Sequence, residues 1–140
     1  MKRVLIIAPH MDDEVLGCGA TLAKHVAAGD KLDVCISCNR AYDRTYDQAA
    51  NDSERSATLK AKEILGYSGL RFLELQDERV QSEFPILIDG LETVVQEMRP
   101  DVVYAPHVGD LHQDHQSVAH GVNISVRAIA APFVSRVLAY

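Results

Sequence analysis

The sequence predicts an α/β fold: a Rossmann-like, three-layer αβα sandwich around a mainly parallel sheet with strand order 3-2-1-4-5. Three observations carry that expectation. Apolar runs of strand length alternate with amphipathic stretches of helix length to the last residue. The first run, Arg3-Val4-Leu5-Ile6-Ile7-Ala8, is apolar without alternation, as a strand covered on both faces requires. Two clusters of histidine and carboxylate, Pro9 to Glu14 and His112 to His115, both stand where a strand gives way to a helix. In a doubly wound sheet of this order, strands one and four are neighbours at the switch point, so those clusters face one crevice.

The elements follow in order. After the first strand, apolar or small residues at Val15, Leu16, Ala20, Leu22, Ala23 and Val26 predict a helix from Glu14 to Ala28, stopped by Gly29. Lys31 to Cys38 is the second strand, and Asn39 to Asn51, polar and without period, is a long loop. Asp52 or Ser53 caps a second helix that runs to Leu65 and closes at Gly66. Leu70 to Leu73 makes a short third strand. Pro85 suits the first turn of a helix over Ile86 to Met98, in which Leu87, Leu91, Val94 and Val95 share a face. Asp101 to Ala105 is strand four, His115 to Ala130 a helix, and Phe133 to Tyr140 strand five.

The 140 residues make a single domain, large enough to bury roughly two thirds of the unfolded chain's surface. A composition 47% hydrophobic and 24% charged, with 8 Gly and 5 Pro, excludes disordered and fibrous classes. The net charge of −6 argues against nucleic acid and anionic membranes as partners and leaves a small molecule as the default. No apolar run reaches the ~20 residues of a bilayer span, and no signal-peptide pattern opens the chain, so the cytoplasm is the expected compartment. A homo-oligomer stays open. Cys18, Cys35 and Cys38 are too few for a disulfide scaffold. Cys35 and Cys38 form a C-x-x-C, but within a strand, which favours buried structural thiols over a redox pair or half a zinc site.

Imidazole and carboxylate together suit a divalent transition metal, and catalytic zinc uses three protein ligands with one position open. His10, Asp13 and His115 can supply the three. Asp12 is placed to take a proton from water activated there, since a bound cation lowers water's pKa from 15.7 to about 7. His112, as imidazolium, can stabilise an oxyanion and protonate a leaving amine. Asp114 can orient an imidazole and raise its basicity. The simpler alternative for Asp12, Asp13 and Glu14 is an acidic helix N-terminus, worth about 0.3 to 1 kcal/mol; the second cluster outweighs it. His25, His107 and His120 are read as ordinary surface or core histidines. Gly17-Cys18-Gly19 fails as a dinucleotide fingerprint because Leu22 stands where the third glycine belongs.

The motifs Pro9-His10-Met11-Asp12-Asp13-Glu14 and His112-Gln113-Asp114-His115 resemble those of the LmbE-like, or PIG-L, zinc-dependent N-deacetylases of N-acetylglucosamine-containing substrates. Met11 departs from the family's proline. Ala61 to Gly66 and Leu73 to Asp77 add similarity. The resemblance implies an α/β deacetylase with zinc, or iron(II), on His10, Asp13 and His115. It makes Asp12 the general base, His112 the electrophile with Asp114 its modulator, and an N-acetylated amino sugar the substrate. Asp77, and Arg55 as counterpart of an arginine in the family's second helix, would contact that substrate. Arg40, with Asp43 and Arg44, either binds sugar hydroxyls from the long loop or forms a solvated tip. The family's domain usually continues beyond strand five, so the chain reads as C-terminally shortened. Two other classes remain: a receiver-like, divalent-metal phosphorylation module, and a catalytically inactive, truncated metal-binding member of the family.

Overall fold

The computed structural model describes residues 1–39 and 48–140. Strands β1 (Arg3–Ala8), β2 (Lys31–Asn39), β3 (Gly69–Gln76), β4 (Val102–Ala105) and β5 (Arg136–Ala139) alternate with helices α1 (Asp13–Ala27), α2 (Gln48–Leu65), α3 (Phe84–Met98) and α4 (Gln113–Ser125). The sheet order is β3-β2-β1-β4-β5 and every pairing is parallel. This order is not the 2-1-3-4-5 of receiver-type folds, which removes the phosphorylation-module alternative.

β1 is central, and its side chains divide the core by parity. Leu5 and Ile7 join Leu87, Leu91, Val94, Val95, Val118 and Val122 of α3 and α4. Val4, Ile6 and Ala8 join Cys18 and Leu22 of α1, with Tyr67 beyond α2. Two apolar faces on one strand explain why its sequence does not alternate. Cys35 and Cys38 lie in β2, buried and free, with burial pushing the Cys35 thiol up to about 12. Neither is in a disulfide; Cys35 sits in the core, while Cys38 also borders the crevice at the carboxyl end of the sheet.

Several boundaries differ from the sequence reading. α2 already includes Asp52 and Ser53, so neither caps it; the Gln48 side chain donates to the Asp52 carboxylate one turn on, at 2.7 Å. α4 starts at Gln113, capped by His112, and stops at Ser125, where the Arg127 guanidinium donates to the Ile124 carbonyl at 2.8 Å. β5 is shorter than expected, while Phe133 and Val134 pack on the core instead of extending it. β3 runs three residues past Leu73. Its register against β2 shifts between Ile36 and Cys38, and Glu74 takes a left-handed φ of 62°. That bulge lets the strand resume as Leu75 pairs with Cys38 and Gln76 with Asn39, carrying Asp77 to the carboxyl end of the sheet.

At Gly17 a Cβ would run into the Tyr140 ring, whose hydroxyl donates to the Ile7 carbonyl at 3.1 Å. Among the described residues, no helix is long and apolar enough to cross a membrane.

Candidate metal centre

β1 and β4 are adjacent, so the turns that leave their carboxyl ends meet. The β1 turn delivers His10, Asp12 and Asp13; the β4 loop and the first turn of α4 deliver Asp110, His112, Asp114 and His115. The imidazoles of His10, His112 and His115 stand 4.9 to 5.3 Å apart, centroid to centroid. Two clusters distant in sequence therefore share one crevice.

Asp13 sits between two of these rings. Its Oδ2 lies 3.3 Å from His10 Nδ1 and 3.2 Å from His115 Nε2, and also accepts the His10 backbone N–H at 2.9 Å. His10, Asp13 and His115 thus present three ligand atoms within 4.8 Å of one another. The far nitrogen of each ring is held by carboxylate. His115 Nδ1 faces Asp110 Oδ2 at 3.0 Å, and His10 Nε2 faces Asp77 Oδ1 at 3.1 Å and Asp114 Oδ2 at 3.3 Å. Metal-binding histidines are usually oriented by such outer carboxylates. A second group, His10, Asp77, His112 and Asp114, is equally close, but Asp114 already accepts the Glu78 and Val80 backbone N–H groups at 2.7 and 3.4 Å. Both Asp114 oxygens are thus engaged by the backbone of the turn after β3, so that group could hold a cation only with that bonding retained.

The electrostatics point the same way. Burial opposes a charge on His10, but the carboxylates of Asp114, Asp13 and Asp77 outweigh it and raise the ring well above its ordinary pKa. Burial also opposes ionisation of Asp13, yet His10 and His115 hold it below the usual carboxylate range. The hydrogen bond to Asp13 raises His115 in turn. The same carboxylates that favour charge on these rings give the set the negative character that suits a divalent cation.

Asp12 is the residue before α1, at its N-cap position, but its side chain makes no capping hydrogen bond. Instead it lines a cavity of about 180 Å³ with His10, Met11, Cys38, Glu54, Asp77, Glu78 and His112. Asp12 therefore stands at the acidic start of α1 with its side chain free of a capping bond. Glu14 is not an exposed helix-terminal acid: it is 1% exposed, and burial pushes it up to about 7. His112 Nδ1 accepts the Asp114 backbone N–H at 3.2 Å, which suits the neutral ring with its proton on Nε2, where the sequence reading had an imidazolium. The Asp114 carboxylate turns to His10 and not to His112.

Arg55 is not among the residues lining the cavity. It lies over the Phe72 ring at 4.0 Å and donates to Glu74 at 2.7 and 2.9 Å. Arg40, Asp43 and Arg44 lie outside the described residues. His25 bonds Asp30 and Tyr104, His107 accepts from the Gly109 backbone, and His120 stacks on Phe84, all outside the centre. Two contributors escaped the sequence reading. Asp110, five residues before His115, showed only as one more acid in a histidine-rich loop, and Glu78 follows Asp77 in a turn that no periodicity marks.

The fold and this donor set define a parallel α/β protein with a histidine–aspartate centre at its topological switch point. The chain belongs to the PIG-L: GlcNAc-PI de-N-acetylase family, whose model matches residues 5–125. It is 31% identical over 135 residues to the uncharacterized deacetylase YaiS of Escherichia coli K12, covering 91% of this chain and 70% of that protein. Among solved structures, the conserved protein TT1542 of Thermus thermophilus superposes with a TM-score of 0.82 at 27% identity, covering 98% of this chain and 64% of that one. The N,N'-diacetylchitobiose deacetylase of Pyrococcus horikoshii gives 0.77 at 25%, covering 96% and 52%. This chain thus spans roughly half to two thirds of the length of those structural relatives.

Proposed function

We propose that the protein hydrolyses an N-acetyl amide on an amino sugar, releasing acetate and a free amine. The observation that carries this is the convergence of His10, Asp13 and His115 beside an Asp12 carboxylate that caps nothing and lines the cavity. Membership in a de-N-acetylase family and the likeness to a chitobiose deacetylase support it. His10, Asp13 and His115 would hold a divalent cation, zinc or iron(II), which when bound supplies Lewis acidity and lowers the pKa of water to about 7. Asp110, Asp77 and Asp114 keep the two ligand rings oriented. Asp12 accepts a proton from the attacking water. As the acetyl carbonyl becomes tetrahedral, His112 donates from Nε2 to the developing oxyanion, and the proton gathered at Asp12 is available to the departing nitrogen.

The test is the Asp12→Asn variant in an amine-release assay on N-acetylglucosamine conjugates, with metal content measured in parallel. The expected result is unchanged zinc or iron(II) stoichiometry and a loss of about 10²- to 10⁴-fold in turnover. Full turnover in D12N overturns the base assignment. Absence of transition metal, with no rescue by zinc or iron(II), overturns the centre.

A further inference from the structure

A second cavity opens on the other side of the first turn of α4. It measures about 400 Å³, against about 180 Å³ for the cavity that Asp12 lines, and its walls are Gln81, Phe84, Gln113, Gln116, Ser117 and His120. Pockets that enclose a small ligand run to roughly 300–1,000 Å³. The cavity at the centre is smaller than that and suits the reacting end of a substrate, while the second is of a size for the unit that follows.

The two cavities share a wall. Gln113 lines the second, and its Nε2 donates at 3.0 Å to the carbonyl of Glu78, a residue that lines the first. Gln116 Nε2 donates at 2.6 Å to the carbonyl of Asp110, whose carboxylate faces His115. Both side-chain amides are thus anchored through nitrogen beside the centre, which leaves their oxygens as acceptors. Gln81, in the turn before α3, adds a third amide. Amides donate and accept, as sugar hydroxyls do. Among the described residues no Asp, Glu, Lys or Arg lines this cavity, so it offers no partner for an ionic group. The remaining wall is a pair of rings. His120 is exposed and lies 5.3 Å from Phe84, centroid to centroid, at a tilt of 32°, and Phe84 packs on the core behind it. A ring braced in this way gives flat area to the apolar C–H face of a pyranose, with amides around it to fix orientation.

We propose that this cavity is a second saccharide subsite, taking a neutral pyranose unit next to the one whose acetamide is cut, so that the substrate is an oligosaccharide. This rests on the deacetylase function proposed above and goes beyond it in placing the unit that does not react.

The experiment compares kcat/KM for N-acetylglucosamine, N,N'-diacetylchitobiose and N,N',N''-triacetylchitotriose. Wild type, His120→Ala, Gln81→Ala and the control Glu63→Gln, an exposed acid on α2 that lines neither cavity, are measured. The wild type should prefer the trisaccharide to the monosaccharide by about tenfold or more, as a few added hydrogen bonds supply. H120A and Q81A should each lower the trisaccharide value by about 3- to 10-fold and leave the monosaccharide value unchanged, which also shows that the variants are folded. E63Q should alter neither. A trisaccharide-to-monosaccharide ratio that survives both substitutions overturns the subsite, even if all three compounds are deacetylated. Cellotriose, a neutral glycan with no acetamide to cut, gives a readout independent of turnover through its calorimetric binding to the same four proteins. If no compound is hydrolysed but cellotriose binding weakens in H120A and Q81A alone, the deacetylase function falls and the subsite stands. If nothing is hydrolysed and binding ignores both residues, the subsite falls as well.

Discussion

At the residue scale, the centre depends on carboxylates that touch imidazoles, and Asp110 is the plainest case. Its Oδ2 faces His115 Nδ1 while its Oδ1 accepts the His112 backbone N–H at 2.8 Å, so one side chain sets both a ligand ring and the start of α4. Asp110→Asn should weaken zinc affinity about 10- to 100-fold, as losses of such orienting partners do, measured by competition with a chromogenic chelator. Glu14 makes a prediction of opposite character. Its carboxyl is buried, one oxygen has no partner, and its pKa rises from 4.5 to about 7 on folding. A raised carboxyl binds more proton folded than unfolded, so its contribution to stability is present below pH 4.5 and is lost as pH rises to about 7. Glu14→Gln in the metal-free protein should therefore gain on wild type across that window, by roughly 3 kcal/mol, in urea unfolding at pH 5 and pH 8. His10, Asp13 and His115 were legible because ligand types recur at fixed places after strands. Asp110 and Glu78 were not, since their roles exist only once a ring or a backbone N–H from another segment arrives.

Elements were legible where apolar period and punctuation agreed. β1 and α3 came out close to their sequence boundaries, because unbroken apolar character and a Pro85 start are local signals. β3 did not, because its continuation depends on a bulge at Glu74 that forms only against β2. The α3–α4 packing carries an element-scale prediction. At Gly121 a Cβ would meet Leu87 Cδ2 at 2.9 Å and Leu91 Cδ1 at 3.1 Å, so the two helices touch through this residue. Gly121→Val should cost about 1 to 3 kcal/mol by overpacking, read as a lower urea midpoint. Because α4 also carries His115, the same variant should bind zinc less tightly.

For the whole molecule, strand order was legible and its consequence for the centre followed, since order 3-2-1-4-5 puts β1 beside β4. What the sequence could not supply was which carboxylate would face which ring, a matter of side-chain packing across three separate segments. A cation that binds only the folded state stabilises it by mass action, about 2.7 kcal/mol at a free concentration one hundred times Kd. Zinc should therefore raise the thermal midpoint of the metal-free protein in a concentration-dependent way, and the His10→Ala variant should not respond.

The β1–β4 pairing sets a condition on the order of events in folding. Val4 pairs with Val102 and Ile6 with Tyr104, the most sequence-distant register that β1 makes in the sheet. Closing so long a loop is entropically late and slow compared with the local β1–α1–β2 unit. His10 and Asp13 belong to that early unit, whereas His115 arrives only with β4. Until then the chain can offer a metal two ligands but not three, so tight capture of the ion reports that the longest loop has closed. In a refolding experiment, zinc uptake should lag behind helix formation and coincide with the last gain in native packing.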